Sequence, residues 1–137
     1  MLEKLEGSHG CFVCDTSGTN PRSLMLEIYW DEERHNTVIS FTPDISHCGY
    51  EGVVHGGIIA SIFDDSMAWA IKKETGSWAV TATFEIRYKM PVKVGETYTF
   101  QGKIETARGK KICTSAMVKD CDEKILATAS ALFILKI

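Results

Sequence analysis

His55-Gly56-Gly57-Ile58-Ile59-Ala60-Ser61-Ile62-Phe63-Asp64-Asp65-Ser66-Met67-Ala68-Trp69-Ala70-Ile71-Lys72-Lys73-Glu74-Thr75 is the stretch on which the reading of the fold turns. Paired glycines open it, Lys72 and Lys73 sit in its last turns where cations complement a helix dipole, and Gly76 stops it. The spacing predicts one long helix from His55 to about Thr75. Ile58, Ile59, Ile62, Phe63, Met67, Trp69 and Ile71 spread around most of its circumference. A helix that is apolar nearly all round is buried rather than laid on a surface.

What surrounds the helix reads as strands. After it, Val80, Phe84, Ile86 and Tyr88 alternate with Thr81, Thr83, Glu85 and Arg87, which predicts a strand whose apolar face is the Val80/Phe84/Ile86 series and places Thr81 on the opposite face. Tyr98, Phe100 and Ile104 alternate with Thr99, Gln101 and Lys103; turns at Arg108-Gly109-Lys110 and Asp120-Cys121-Asp122-Glu123 then bound strands over 112–119 and about 125–135. Before the helix, Leu24, Leu26, Ile28 and Trp30 share one face of a strand, Asp31 to Asn36 turn the chain, and Val38 to Phe41 form a second strand. Residues 42–54 read as a loop, and residues 1–22, broken by Gly7, Gly10, Gly18 and Pro21, as an N-terminal arm with a short helical turn at its start. The order β-β-α-β-β-β-β, with short turns between successive strands, implies an α+β fold: a single domain over 1–137 in which an antiparallel sheet of about five to six strands wraps one long buried helix.

Composition narrows the function. The chain has 137 residues, 45% hydrophobic and 24% charged, enough for one ordinary globular domain. With 15 basic residues interspersed among 18 acidic ones, and a net charge of −3, it lacks the clustered basic excess of a nucleic-acid binder. No apolar run reaches the roughly 18 residues of a membrane span, and acids at Glu3 and Glu6 stand where a signal peptide would be basic and then apolar. The expectation is a cytoplasmic protein with no membrane and no nucleic-acid partner. The five cysteines are an odd number, which argues against a disulfide framework. Cys11-Phe12-Val13-Cys14 has metal-ligand spacing, but a zinc ribbon wants a second such pair and the sequence holds none. The expectation is reduced cysteines under a loop, no metal and no cofactor, with metal analysis as the discriminating measurement.

Two features carry chemistry. A helix that starts on Gly56-Gly57 presents free backbone N–H groups at the positive end of its dipole, suited to stabilising an oxyanion; on its own, such a start signals tight backbone packing. Asp64 and Asp65 are adjacent carboxylates inside an apolar helix, a costly placement unless something uses or satisfies them. At about 100° per residue Asp64 shares a face with Gly57, Ala60, Met67, Ala68 and Ile71, rich in small residues like the wall of a crevice. A hydrogen bond to backbone or tyrosine is the competing explanation for either aspartate.

Gly52-Val53-Val54-His55-Gly56-Gly57 opening the helix, an Asp nine residues after that His, and the strand order around them resemble the hotdog-fold acyl-CoA thioesterases of the PaaI type. The likeness extends to Cys11-Phe12-Val13-Cys14 followed by Asn20-Pro21, and to Tyr88-Lys89-Met90-Pro91. The resemblance implies hydrolysis of an acyl- or aryl-CoA, with Asp64 as general base or nucleophile, the Gly56 N–H as oxyanion donor with Gly57 beside it, His55 orienting the thioester carbonyl, and Thr81 helping to hold water or carboxylate. Gly49, Gly57 and Met67 are expected to contact substrate, although Met67 could equally fill the core. Many members have Asn where this chain has Gly49, which keeps a non-catalytic acyl-CoA-binding protein as the alternative. A hotdog hydratase would need a different His/Asp arrangement, which the sequence lacks.

Helix geometry adds an expectation about assembly. Nine residues separate His55 from Asp64, about 13 Å of rise and a half-turn in phase, so Gly56 and Asp64 of one chain cannot both lie within about 3 Å of one carbon. A homodimer with two shared active sites, alone or paired into a tetramer, removes the conflict, and the resemblance implies the same.

Overall fold

Alternation of apolar and polar residues governs the sheet, and the computed structural model of the chain, which describes residues 1–136, shows where that alternation is broken and why. The elements are β1 (Leu2–Lys4), β2 (Ile28–Asp31), β3 (Asn36–Phe41), a turn of 3-10 helix (Ile45–His47), β4 (Cys48–Tyr50), β5 (Val53–Val54), α1 (Gly56–Thr75), β6 (Ala79–Tyr88), β7 (Tyr98–Arg108), β8 (Lys111–Lys119) and β9 (Ile125–Leu135). Seven strands form one antiparallel sheet in the order β1-β2-β3-β7-β8-β9-β6, while β4 and β5 pair as a separate small hairpin. The sheet curls around α1, whose Ile59, Ile62, Phe63, Met67, Trp69, Ala70 and Ile71 are buried.

The predicted helix and the last four strands are present. Three local readings are corrected. The start of the arm is not a helical turn but β1, which pairs with β2 through Leu2↔Asp31 and Lys4↔Tyr29 and makes the sheet one strand wider than expected; an ion pair from Lys73 Nζ to Glu3 at 3.0 Å holds it against the helix end. Leu24 and Leu26 do not extend β2: their N–H groups donate to Phe12 O and Val13 O of the arm, and Met25 between them has φ 57°, which no continuous strand contains. The segment 42–54 is structured as the 3-10 turn and the β4–β5 hairpin, tied down where Val54 N–H donates to Val92 O and Val94 N–H to Gly52 O.

The fourth correction matters most for function. Against β9, Thr81 pairs with Phe133 and Thr83 with Leu132, so Ala82 is an extra residue, a β-bulge. The bulge reverses the alternation: Phe84 and Ile86 stay half-buried on the inner face, Val80 becomes 51% exposed, and Thr81 turns inward.

The helix sits on the sheet at one very close crossing. Thr37 Oγ1 on β3 donates to Ser66 O of the helix (2.8 Å) and accepts the Gly102 N–H of β7 (3.2 Å). A Cβ at Gly102 would lie 2.7 Å from the Ser66 carbonyl carbon, so only glycine fits there without moving backbone. Phe63 packs edge-on against Phe100 beside this point, with ring centres 5.4 Å apart. Gly102→Ala is expected to destabilise the protein by about 1–3 kcal/mol, the usual cost of overpacking a filled core, read as a lower urea midpoint with an unchanged denaturant slope.

Candidate active site

The first turn of α1 is built from three local devices. His55 is the N-cap residue: its ring Nδ1 accepts the Gly57 N–H at 2.8 Å, satisfying one of the orphan donors of the helix start. That role leaves the proton of the neutral ring on Nε2. The His55 N–H itself donates to His47 O at 2.8 Å, so the end of the 3-10 turn, which leads into the β4–β5 hairpin, fixes where the helix begins. From the opposite side, Tyr88 at the end of β6 donates its hydroxyl to Gly56 O at 2.7 Å. Burial holds the Tyr88 phenol above its ordinary pKa, so it remains a donor.

These contacts leave little room for side chains at the two glycines. A side chain on Gly56 would lie 3.3 Å from the Tyr88 hydroxyl, and one on Gly57 3.0 Å from His55 Nδ1. Among the described residues the Gly57 N–H is occupied by His55, whereas the Gly56 N–H donates to no protein acceptor. Gly56, rather than the pair, therefore offers the available donor.

That end of the helix opens into a cavity of about 590 Å³, within the range of small-molecule sites. Gly49, His55 and Gly56 line it, together with Tyr88, Met90 and Val92 from the segment closing β6. A Cβ at Gly49 would approach His55 Cα to 3.0 Å and its ring Cδ2 to 3.3 Å, so the absence of a side chain there leaves room for the His55 ring. The sequence shows Tyr88 as part of a strand alternation and of a family likeness, not as a contact of the helix start. Nothing in that alternation reveals that the strand ends at the helix start.

Asp64 is elsewhere. Two turns along α1 and half-buried, it accepts a hydrogen bond from Thr81 Oγ1 at 2.6 Å. The expected Asp64–Thr81 partnership is thus formed, through the bulge and not through simple alternation. Neither residue lines the cavity at Gly56. Met67 is also absent from it: fully buried in the core, it receives the Thr114 hydroxyl on its sulfur at 3.1 Å. It packs in the core against Thr114 of β8, the second of the two places expected for it.

Asp65, one residue on, faces the arm, where the Cys11 thiol lies 3.4 Å from Oδ1. Burial pushes its carboxyl up to about 8. A hydrogen bond from the Cys14 thiol brings Cys11 down to about 5, and the same bond, with burial, drives Cys14 up.

Comparison with known proteins identifies the class. The sequence model of the Thioesterase superfamily matches residues 51–127, more than half the chain and the whole segment from the cavity hairpin into β9, and the chain belongs to that family. Its relatives include the mouse acyl-coenzyme A thioesterase THEM4, 32% identical over 108 residues that cover 78% of this chain and 46% of that protein. The chain thus spans about half the length of the curated relatives it matches. Among solved structures, the Escherichia coli PaaI protein from the phenylacetic acid degradation operon superposes with a TM-score of 0.76 at 19% identity, covering 85% of this chain and 83% of that one. A Streptococcus mutans protein bound to acetyl CoA gives 0.69 at 20% identity, covering 74% and 82%. These likenesses confirm the hotdog fold.

The cap separates two roles of His55. His55→Ala is expected to cost about 1 kcal/mol through loss of the N-cap, and His55→Asn to recover most of it because an Asn oxygen can accept the same N–H. Urea unfolding of the three proteins side by side checks this.

Proposed function

We propose that the protein hydrolyses the thioester of an acyl- or aryl-CoA to the free acid and CoA. The observation that carries this is the pair of half-sites on one helix: an uncommitted N–H at Gly56 facing a cavity, and an Asp64 carboxylate held by Thr81. In this reading the Gly56 N–H receives the charge that develops on the thioester oxygen, with His55 Nε2–H beside it. Asp64 takes a proton from the attacking water as its oxygen bonds to the carbonyl carbon, or attacks that carbon itself to give a mixed anhydride that water hydrolyses after CoA has left. The C–S bond then breaks, and the thiolate of CoA is a good enough leaving group to need no strong acid. Names of relatives and the acetyl-CoA-bound neighbour support the substrate class. Lys89 at the cavity wall adds a cation suited to a phosphate-bearing ligand.

The two half-sites belong to different copies in this reading. From Gly56 to Asp64 the helix rises about 12 Å, so a second chain must bring its Asp64 to this chain's Gly56. The edge strand β6 supports such pairing. It is ten residues long, bonded to β9 on one side only, and carries Thr81 inward with Val80 and Tyr88 51% and 52% exposed. Natural sheets rarely leave so long an edge open. A homodimer that joins β6 to its two-fold mate covers it and completes both sites.

One observation favours the alternative of acyl-CoA binding without turnover: Gly49 offers no side chain to position water, and the His55 ring occupies the space beside it. A panel of acyl- and aryl-CoAs with thiol release as readout separates the two. On the hydrolytic reading Asp64→Asn retains the fold and loses at least about a hundredfold in turnover, and Thr81→Ala lowers kcat more than it raises KM. An Asp64→Asn protein of undiminished turnover overturns the assignment.

The shared site has its own test. Asp64→Asn and Gly56→Phe proteins are each expected to be inactive, and mixing them with subunit exchange should restore part of the activity, because one mixed site is intact. No recovery despite exchange proven by mass spectrometry, or full activity in a sedimenting monomer, refutes it.

A further inference from the structure

The arm contains a second constellation that the proposed hydrolysis does not use. Cys11 and Cys14 meet Asp65 of α1, more than fifty residues away in sequence, with one ligand atom from each of the three residues within 4.8 Å of the others. Cys11 Sγ accepts the N–H of Val13 at 3.3 Å and of Cys14 at 3.4 Å, and Cys14 Sγ accepts the N–H of Ser8 at 3.4 Å. Two backbone donors thus point at Cys11 Sγ and one at Cys14 Sγ, the arrangement that would support both sulfurs as ligands of a cation. Asp65 Oδ2 is buried with no hydrogen-bond partner. A buried carboxyl oxygen left without a partner beside two sulfurs is unfavourable, and a cation shared by the three residues would satisfy it.

The loop is built to hold this shape. Cys11 N–H donates to Ser8 O and Asp15 N–H to Cys11 O, closing the turn on both sides. The Asp15 carboxylate accepts the N–H groups of Ser17 and Asn20, and the Asn20 side-chain amide returns to Gly10 O at 3.0 Å. Gly7, at φ +73°, passes so close that a Cβ would lie 2.5 Å from Cys14 O.

We infer that Cys11, Cys14 and Asp65 form a zinc site that staples the N-terminal arm to helix α1. Zinc bonds of about 2.3 Å to sulfur and about 2.0–2.2 Å to carboxylate oxygen, set at tetrahedral angles, place sulfur and oxygen roughly 3.5 Å apart; Cys11 Sγ and Asp65 Oδ1 are 3.4 Å apart. Two thiolates select a borderline-soft ion over magnesium or calcium. The unpartnered Asp65 Oδ2, or a water entering from the half-buried Cys11 side, supplies the fourth position. Binding displaces the thiol protons to solvent and involves no change of oxidation state. The site depends on no feature of the hydrolytic reading, and its ligand Asp65 precedes the Ser66 contact that seats the helix.

The test is metal content of the full chain purified under reducing conditions without chelator, followed by cobalt(II) titration of chelator-stripped protein. The expected result is one zinc per chain and a sulfur-to-cobalt charge-transfer band that saturates at one equivalent and raises the melting temperature. Cys11→Ser, Cys14→Ser and Asp65→Asn should each weaken binding by more than roughly tenfold, while Cys113→Ser, exposed on the sheet, binds as wild type. Wild-type stoichiometry and the cobalt band decide the matter even if a variant fails to fold. Reduced wild-type protein that takes up neither metal overturns the proposal. So does metal retained by the double Cys11→Ser, Cys14→Ser variant, or a Cys11–Cys14 disulfide whose reduction restores no binding.

Discussion

The rest of the molecule depends on how closely α1 can approach the sheet at Gly102. With no side chain at that position, the Ser66 carbonyl settles onto β7 and takes a hydrogen bond from the buried Thr37. Once Ser66 is committed to the sheet, the rotation of the helix is determined, and residues one and two positions earlier are swung round it in steps of about 100°. Asp65 meets the arm and Asp64 meets β6. Two adjacent, chemically identical side chains thereby enter different environments: one is bonded by a threonine hydroxyl near the edge of the sheet, the other is buried against sulfur. An axial rotation by half a residue step would spoil both.

The cavity and the Asp64 contact both rest on irregularities placed on a regular frame. The cavity owes its shape to a histidine that caps its own helix, to a 3-10 turn whose end fixes where the helix begins, and to a tyrosine reaching across from the end of β6. Asp64 owes its partner to one extra residue, Ala82. Each device is local, and each acts on a backbone group or a single side chain rather than on the core.

This explains which parts were legible in the sequence. The buried helix and strands β7 to β9 follow from periodicity, since apolar residues recur there at the spacing of the element they form. Gly56 and Asp64 stand out as a glycine-opened helix start and a carboxylate inside an apolar helix, whereas the roles of His55 and Thr81 follow from motif likeness alone. Helix arithmetic alone separates Gly56 and His55 from Asp64. What periodicity could not give was phase across the bulge: Val80 looked inward because the alternation was counted without Ala82. Short elements were equally hidden. Leu2–Lys4 is too brief to show a period, and Leu24 and Leu26 alternate correctly yet bond to the arm, because Met25 adopts a left-handed conformation that composition does not disclose. Met67 has the right helix phase for a crevice and the right size for the core, and packing decided between them.

The order of strands in the sheet has a consequence for how the chain is made. Strand β6 leaves the helix and goes to the far edge, where its sole neighbour is β9, synthesised only after the whole β7–β8 hairpin. While a ribosome is still extending the chain, α1 can settle against β3 and β7, but β6 has nothing to pair with and Thr81 no fixed position. The contact that holds Asp64 is therefore expected to await the arrival of Ile125–Leu135. Until then the nascent protein carries a long unpaired strand, and chaperone protection would be most needed in that interval.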